Sequence, residues 1–541
     1  MKDPKILREK SKARLLARYC AAAKKKNFIP SSADLTKLGF NCDKVRRLFG
    51  GYEGLKAAAK AHAPEAFENI VDESLFTPKA FEKIQKKAAG FHRYVVSTAV
   101  EGCKVHTGFL SAIDNHNKRR KAMTLVLPSI DPAANVPFHL DPKLSEAAIV
   151  SDDLALNDNL FISSIKMSAK HIDPVTGLAR IGQRNGSFIY ASPKQRLKMT
   201  PTSNMRLPHA LMTTGALTRA DYDTRRFMSK RTAYIADNDH VMGAIIVEVE
   251  DDTLFHYRQV QAEKSGAFID LGIMYMPDGS TKQVRPEALV LGDWHSGETD
   301  EEASSAFISS AADSVIQTTK PRRLIIHDGF NGKSISHHEI DNVILRAKHA
   351  ANNKLDLRDE LETYAKELEF MASFDFIEEV VIVKSNHDEF LDRYLAQGRY
   401  VEDAHNHRLA LSLAAAMIDG TNPVEAYMKL RGMKNAAKFT WLKRDEDYSI
   451  ARVELGAHGD KGANGARGSL QSTEKAYGNS VSGHSHTPEI LRGAWQVGTC
   501  SLLKLDYNQG PSSWMHTSCL VYGNGSRQLI NVINGRWRRK A

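Results

Sequence analysis

Between residues 288 and 397, short apolar runs alternate with helical patterns, and this alternation restricts the fold more than any other feature of the 541-residue chain. ALVLGD (288–293) reads as a strand, followed by a helical pattern near 300–317. RLIIHD (323–328) is a second strand, followed by a long amphipathic pattern near 356–374. EVVIVKS (379–385) is a third, with a helix from 388. Strand–helix alternation of this kind predicts an α/β layered domain built on a central sheet. Residues 398–447 read as a helical insertion, and 449–535 as strands joined by Gly-rich loops.

Each strand of this half ends in groups that bind divalent metals. The endings are Gly292-Asp293-Trp294-His295, His327-Asp328-Gly329 and Ser385-Asn386-His387-Asp388. Farther on come Ala457-His458-Gly459-Asp460 and Gly483-His484-Ser485-His486. Ligands of open α/β sheets gather beyond the carboxyl ends of the strands, so five such loops can converge on one crevice. A mixture of carboxylate, imidazole and one amide suits Mn²⁺, Fe or Zn²⁺ better than Ca²⁺ or an all-oxygen Mg²⁺ site. Each short motif alone is more often a turn or a satisfied core histidine; the ordered series of five is the signal.

That series, D-x-H, a strand-terminal Asp, N-H-D, H-G and G-H-x-H, resembles the calcineurin-like metallophosphoesterase family over about residues 288–500. The resemblance implies a layered metallophosphoesterase sandwich and two divalent metal ions, Mn²⁺ first, with Mg²⁺, Fe²⁺ or Zn²⁺ as alternatives. It implies that Asp293, His295 and His486 hold one ion, that Asn386, His458 and His484 hold the other, and that Asp328 bridges them. His387 would be the general acid for the leaving oxygen, with Asp388 orienting it. An imidazole titrates near neutral pH and suits that role. Two cations roughly 3.5–4 Å apart would bind the phosphoryl oxygens and generate the nucleophile. Two positions depart from the family pattern, His327 and Ser385, where Gly is usual, and both bear on how tightly the backbone turns.

The charge is concentrated at one end. Residues 1–60 contain 16 Lys+Arg against 5 Asp+Glu, a net +11, whereas the whole chain carries +10. Residues 4–27 read as a helix with Ile6, Leu15, Leu16 and Tyr19 at helical spacing. A short helix follows in SADLTKLG, another in CDKVRRLF (42–49), closed by Gly50-Gly51, and a last one over 52–62. Short helices joined by a tight Gly turn, with Lys44, Arg46 and Arg47 on the later one, predict an all-α helix-turn-helix DNA-binding module over residues 1–75. Phe28–Ala59 also resembles the small DNA-binding repeat found beside homing endonucleases, above all in Val45-Arg46-Arg47-Leu48-Phe49-Gly50-Gly51-Tyr52. A solvated basic tail is the bland alternative.

Residues 76–287 form a middle α/β region whose role is not legible. RYVVST (93–98), a helix over 107–119 with Phe109, Leu110 and Ile113 on one face, and MTLVLP (123–128) predict one βαβ unit. AYIA, AIIVEVE, TLFHYRQV and AFIDLGIMYM read as β-rich runs, which places the start of the catalytic half (288–541) after them. Five scattered cysteines (20, 42, 103, 500, 519) without a CxxC spacing read as reduced thiols. No apolar run is long enough to span a bilayer and the amino terminus lacks a signal-peptide core. A cytoplasmic location is expected, in the host cell if the chain is phage-encoded.

The basic module selects among phosphoesters. Phosphate neutralisation concentrates an enzyme on DNA, so a metal-dependent DNase is the expected function, with DNA as partner. The whole chain also resembles the pre-early host-DNA-degrading proteins of T5-like phages, in the metal-ligand series, in size and in stretches such as Asp239-His240-Val241-Met242-Gly243 and Ile246-Val247-Glu248. That resemblance implies a homo-oligomer. Lys461 and Arg467, in a Gly-rich loop beside His458, are further candidate phosphate contacts, a flexible linker being the alternative. His337-His338, His405 and His407 are candidate extra ligands that read more naturally as loop histidines, and Arg536–Lys540 as a basic terminus. The rival functions are a phosphoesterase acting on a phosphoprotein or nucleotide, and a non-catalytic DNA-binding regulator.

Overall fold

Val, Ile and Leu dominate the apolar runs of the second half, and in the computed structural model each run supplies one strand of a six-stranded sheet. The structure describes residues 4–26, 29–30, 35–36, 38–67, 77–130, 140–203, 206–222 and 229–540. Phe439–Trp441, Glu379–Ile382, Arg323–Ile326 and Ala288–Val290 run parallel, and Thr517–Val521 and Arg527–Asn531 complete the sheet antiparallel. Side chains alternate across it. Leu289, Leu291, Leu324, Ile326, Val380 and Ile382 meet Leu357, Leu361, Tyr364, Ala365 and Leu368 of the helix Leu357–Ala372. Those helix positions recur every three to four residues, and Asp356 caps the start by accepting from the N–H groups of Arg358 and Asp359. Each fully buried Leu here contributes about 1.5–3 kcal/mol.

Ala288, Val290, Ile325 and Val381 face the other way, onto a ten-stranded sheet. Its order places Gln195–Thr200 beside Glu489–Leu491, paired antiparallel. Strands from both sides of residue 288 therefore share one sheet, and the middle region extends the second layer of the carboxyl-terminal half. The βαβ unit forms, with Arg93–Val100 and Met123–Ser129 parallel around the helix Thr107–Arg120. Gly243–Val249 and Phe255–Gln261 complete its four-stranded sheet.

Four expectations are corrected. AYIA lies within a helix, Lys230–Asn238: Ser229 accepts from the Thr232 N–H, Ala236 is buried and Tyr234 is exposed, so a helical face overrides a run too short to alternate. The pattern near 300–317 is two helices, Glu301–Phe307 and Val315–Thr319, because Ser314 leaves the helix to cap the second and donates to the Ser309 carbonyl. Phe439–Trp441, placed in the helical insertion, is an edge strand of the six-stranded sheet. Ile6 is 53% exposed, so Leu15, Leu16, Tyr19 and Ala23 form the buried face of the first helix instead.

The helices Pro4–Lys26, Cys42–Phe49 and Tyr52–His62 enclose a small core that, among the described residues, runs from Leu15 to Phe67. Gly50 ends the middle helix at φ 74°, a conformation that favours Gly. Of the helix expected in SADLTKLG (32–39), residues 32–34 and 37 lie outside the described residues. Arg46 and Arg47 are exposed and Lys44 half-buried. Among the described residues no helix is long and apolar enough to cross a membrane.

Candidate metal centre

Three of the four parallel strands of the first sheet and two strands of the second direct their following loops to one place. Asp293, His295, Asp328 and His486 form one group of potential ligands, and Asp328, His458 and His484 a second. Within each, the ligand atoms lie within 4.8 Å of one another, and Asp328 belongs to both. Asn386 joins the second group, its Oδ1 3.0 Å from His458 Nε2. All seven sequence-predicted ligands are thus brought together. His295 Nε2 lies 3.0 Å from His486 Nε2, and His486 Nε2 lies 3.3 Å from Asp293 Oδ2. Asp328 Oδ2 is 3.3 Å from His458 Nε2 and 3.7 Å from His295 Nε2.

Backbone hydrogen bonds fix these loops to one another. The N–H groups of Trp294, His295 and Ser296 donate to the carbonyls of His327, Asp328 and Gly329, and the Gly483 N–H donates to the His458 carbonyl. His295, Asp328, His484 and His486 all have positive φ, from 44° to 78°. Non-glycine residues in that region cost of order 1–3 kcal/mol each and persist where the surroundings over-determine them, commonly at functional sites. Neither His327 nor Ser385 has positive φ, so the backbone accepts a side chain at both positions. Gly483 is needed for another reason: a Cβ there would lie 2.2 Å from Asp293 Oδ1.

The donor set fits divalent cations. Both carboxylate oxygens of Asp293, Asp328 Oδ1, and Nδ1 of His458 and of His486 are buried without a hydrogen-bond partner. Burying a carboxylate without donors is costly, and a coordinated cation removes that cost. The protonation pattern reflects the same crowding. Burial and the neighbouring Asp328 push Asp293 well above the usual carboxylate range. Burial acts on Asp328 in the same direction, but the imidazoles of His458 and His387 outweigh it and hold Asp328 well below. Burial lowers His458 too, yet Asp328 raises it to about 9. Burial and His387 bring His295 down to about 4, leaving a neutral imidazole able to ligate.

His387 lines a cleft of about 450 Å³ together with Asp328, Asn331, Asn386, His484 and His486. Its Nδ1 lies 2.7 Å from the Asn331 carbonyl, which can only accept, so Nδ1 carries a hydrogen. The expectation that Asp388 orients His387 is corrected. Asp388 Oδ2 turns back to accept from the N–H and hydroxyl of Ser385, tightening the turn that presents Asn386 and His387. Asn331 does the orienting, and its Oδ1 also lies 3.2 Å from His295 Nδ1. Sequence reasoning missed it, because a backbone carbonyl leaves no mark in the pattern of side chains.

The remaining candidates lie elsewhere or are paired. His337 Nε2 contacts Arg393, His405 Nε2 lies 2.7 Å from Asp356, and His407 Nδ1 lies 3.0 Å from the Tyr400 carbonyl. His338 lines the cleft without joining a ligand group. The Gly-rich loop is a closed turn and not a free linker: the Gly462 N–H donates to Ala466 and the Gly468 N–H to Asp460. Lys461 pairs with Glu389 at 3.2 Å, and Arg467 is exposed. The basic terminus is tied down, with the Trp537 indole donating to the Asp313 carbonyl and the Arg539 N–H to Glu248.

No protein-family model matches the chain, and no solved structure matches it. Over 341 residues it is 31% identical to Protein A1 of Escherichia phage T5, a match that spans 60% of each of the two proteins. The chain is thus similar to a phage T5 protein over much of its length, and it carries a buried group of carboxylates and imidazoles that could hold metal.

Proposed function

We propose that this chain is a metal-dependent DNase of the calcineurin-like metallophosphoesterase type, phage-encoded and directed at host DNA. The observation that carries the reading is the placement of Asp328 in both ligand groups at once. A carboxylate has two donor oxygens, so one side chain can serve two adjacent cations, which an imidazole cannot. Bound divalent cations would supply Lewis acidity to the phosphoryl oxygens and lower the pKa of water. Asn386 adds a neutral oxygen, which limits the negative charge facing an anionic substrate. With Nδ1 committed to Asn331, His387 has Nε2 left to deliver a proton to the departing oxygen. The separately folded basic module supports DNA over smaller esters, because its exposed Arg46 and Arg47 can neutralise backbone phosphates.

The test is hydrolysis of linear and circular DNA by metal-stripped protein reloaded with Mn²⁺, Mg²⁺, Fe²⁺ or Zn²⁺, beside a phosphopeptide and a small phosphodiester. Linear DNA is expected to be cut fastest, and His387→Ala to lose turnover while retaining metal. DNA cut no faster than the small diester contradicts the reading.

A further inference from the structure

The cleft has a second wall that the proposed chemistry does not use. Phe390, Tyr507 and Trp514 line it beside the ligand side chains. The Trp514 ring centroid lies 4.0 Å from that of His486 at 62°, so the aromatic wall begins directly on a ligand. Tyr507 continues it, 5.9 Å from Trp514 at 61°, and is 61% exposed. An aromatic ring held open beside a phosphoester site offers a base a stacking surface, and such stacking tolerates any base. The cleft has room for a single nucleotide and not for a paired helix.

The cations around the cleft are paired with carboxylates. On the aromatic side Lys333 is bound to Glu298 at 2.8 Å and to Asp506 at 3.0 Å, and Glu298 also takes Lys354 at 3.3 Å. Glu339 lines the same rim. Among the described residues that line the cleft, Lys333 is the one Lys or Arg, so no unpaired cation there can receive the second strand of a duplex. Beside His458, Lys384, Arg444 and Lys461 line a neighbouring hollow of about 340 Å³, and they too are paired, with Asp392, Asp460 and Glu389.

Resting on the DNase reading, we propose that Tyr507 and Trp514 stack one unpaired base next to the scissile phosphate, so that the site cuts single strands and frayed ends and not the interior of an intact duplex. The basic module can hold a duplex while the catalytic cleft takes only a strand that has left it.

The Mn²⁺-loaded full chain is assayed on a single-stranded oligonucleotide, on a hairpin-capped duplex of the same length, and on bis(p-nitrophenyl) phosphate. The single strand is expected to be cut faster than the capped duplex. Tyr507→Ala is expected to raise KM for the single strand roughly tenfold, with the effect mainly in KM and the bound manganese unchanged. Tyr507→Phe restores it, and an abasic residue at the cleavage position reproduces the loss in the unaltered protein. An unchanged KM in Tyr507→Ala, or equal cutting inside the capped duplex, overturns the stacking proposal and leaves the DNase reading standing. Hydrolysis of the small diester with no cleavage of either DNA overturns both.

Discussion

Adding one methyl group at Gly483 should disable the metal centre without unfolding the chain. An alanine Cβ at this position would lie 2.2 Å from Asp293 Oδ1 and 3.1 Å from the Cβ of His327. The carboxylate must retreat by about 1 Å to reach an ordinary contact, and a displacement of that size at a reacting centre can cost about 100-fold. Asp293 is fully buried, and its backbone is held by bonds from its N–H to Gly498 and from the Cys500 N–H to its carbonyl, so only the side chain can yield. The fold itself loses about 1–3 kcal/mol, the usual cost of overpacking. Gly483→Ala should therefore bind manganese about 10–100-fold more weakly in a competition titration with a chelator, and lose turnover in proportion. Its far-ultraviolet circular dichroism should match that of the unaltered protein. Undiminished manganese affinity in a folded Gly483→Ala protein would refute the assignment of Asp293 as a ligand.

Removing residues 1–67 should weaken DNA binding and flatten its salt dependence, the slope of log K against log salt falling by roughly 3 if Lys44, Arg46 and Arg47 each neutralise one phosphate. Hydrolysis of a small diester should survive; equal DNA affinity and slope after truncation would show that the module does not bind DNA. Asp270→Ala should destabilise the chain by about 3 kcal/mol at pH 7, because it leaves the buried Arg258 with Glu248 alone, at 3.4 Å, in place of its closer partner. Burial raises the Asp270 carboxyl, but Arg258 outweighs it and holds it well below the usual range. A depressed carboxyl contributes fully above its unfolded pKa of about 3.9 and loses that contribution as pH falls through the folded value. Denaturant titrations should accordingly show the gap between the two proteins narrowing below about pH 4, and a gap independent of pH would contradict the pairing.

The ligand set was legible because it depends on short local signals at strand ends: Asp293, Asp328 and Asn386 each follow an apolar run, and His458 and the His484–His486 pair follow two more. The orienting role of Asn331 was not, because it acts through a backbone carbonyl that has no sequence signature, while Asp388, adjacent to His387, looked the better candidate. Tyr507 and Trp514 were invisible for a related reason, since nothing local distinguishes an aromatic ring in a cleft from one in a core. The layering was partly legible. Periodicity located three of the four parallel strands of the six-stranded sheet and missed Phe439–Trp441, and the pairing of Gln195–Thr200 with Glu489–Leu491 joins residues almost 300 positions apart, which no window of sequence reveals. Local competition explains the split helix, where the Ser314 hydroxyl prefers a cap to a continuing turn.

The account depends most on Asp328 serving two cations at once, and electron paramagnetic resonance of the manganese-loaded protein, with metal content measured in parallel, tests this most directly. Two manganese ions per chain with an exchange-coupled spectrum are predicted, the coupling being lost in Asp328→Asn. A single ion per chain, or two that show no magnetic interaction, would contradict it.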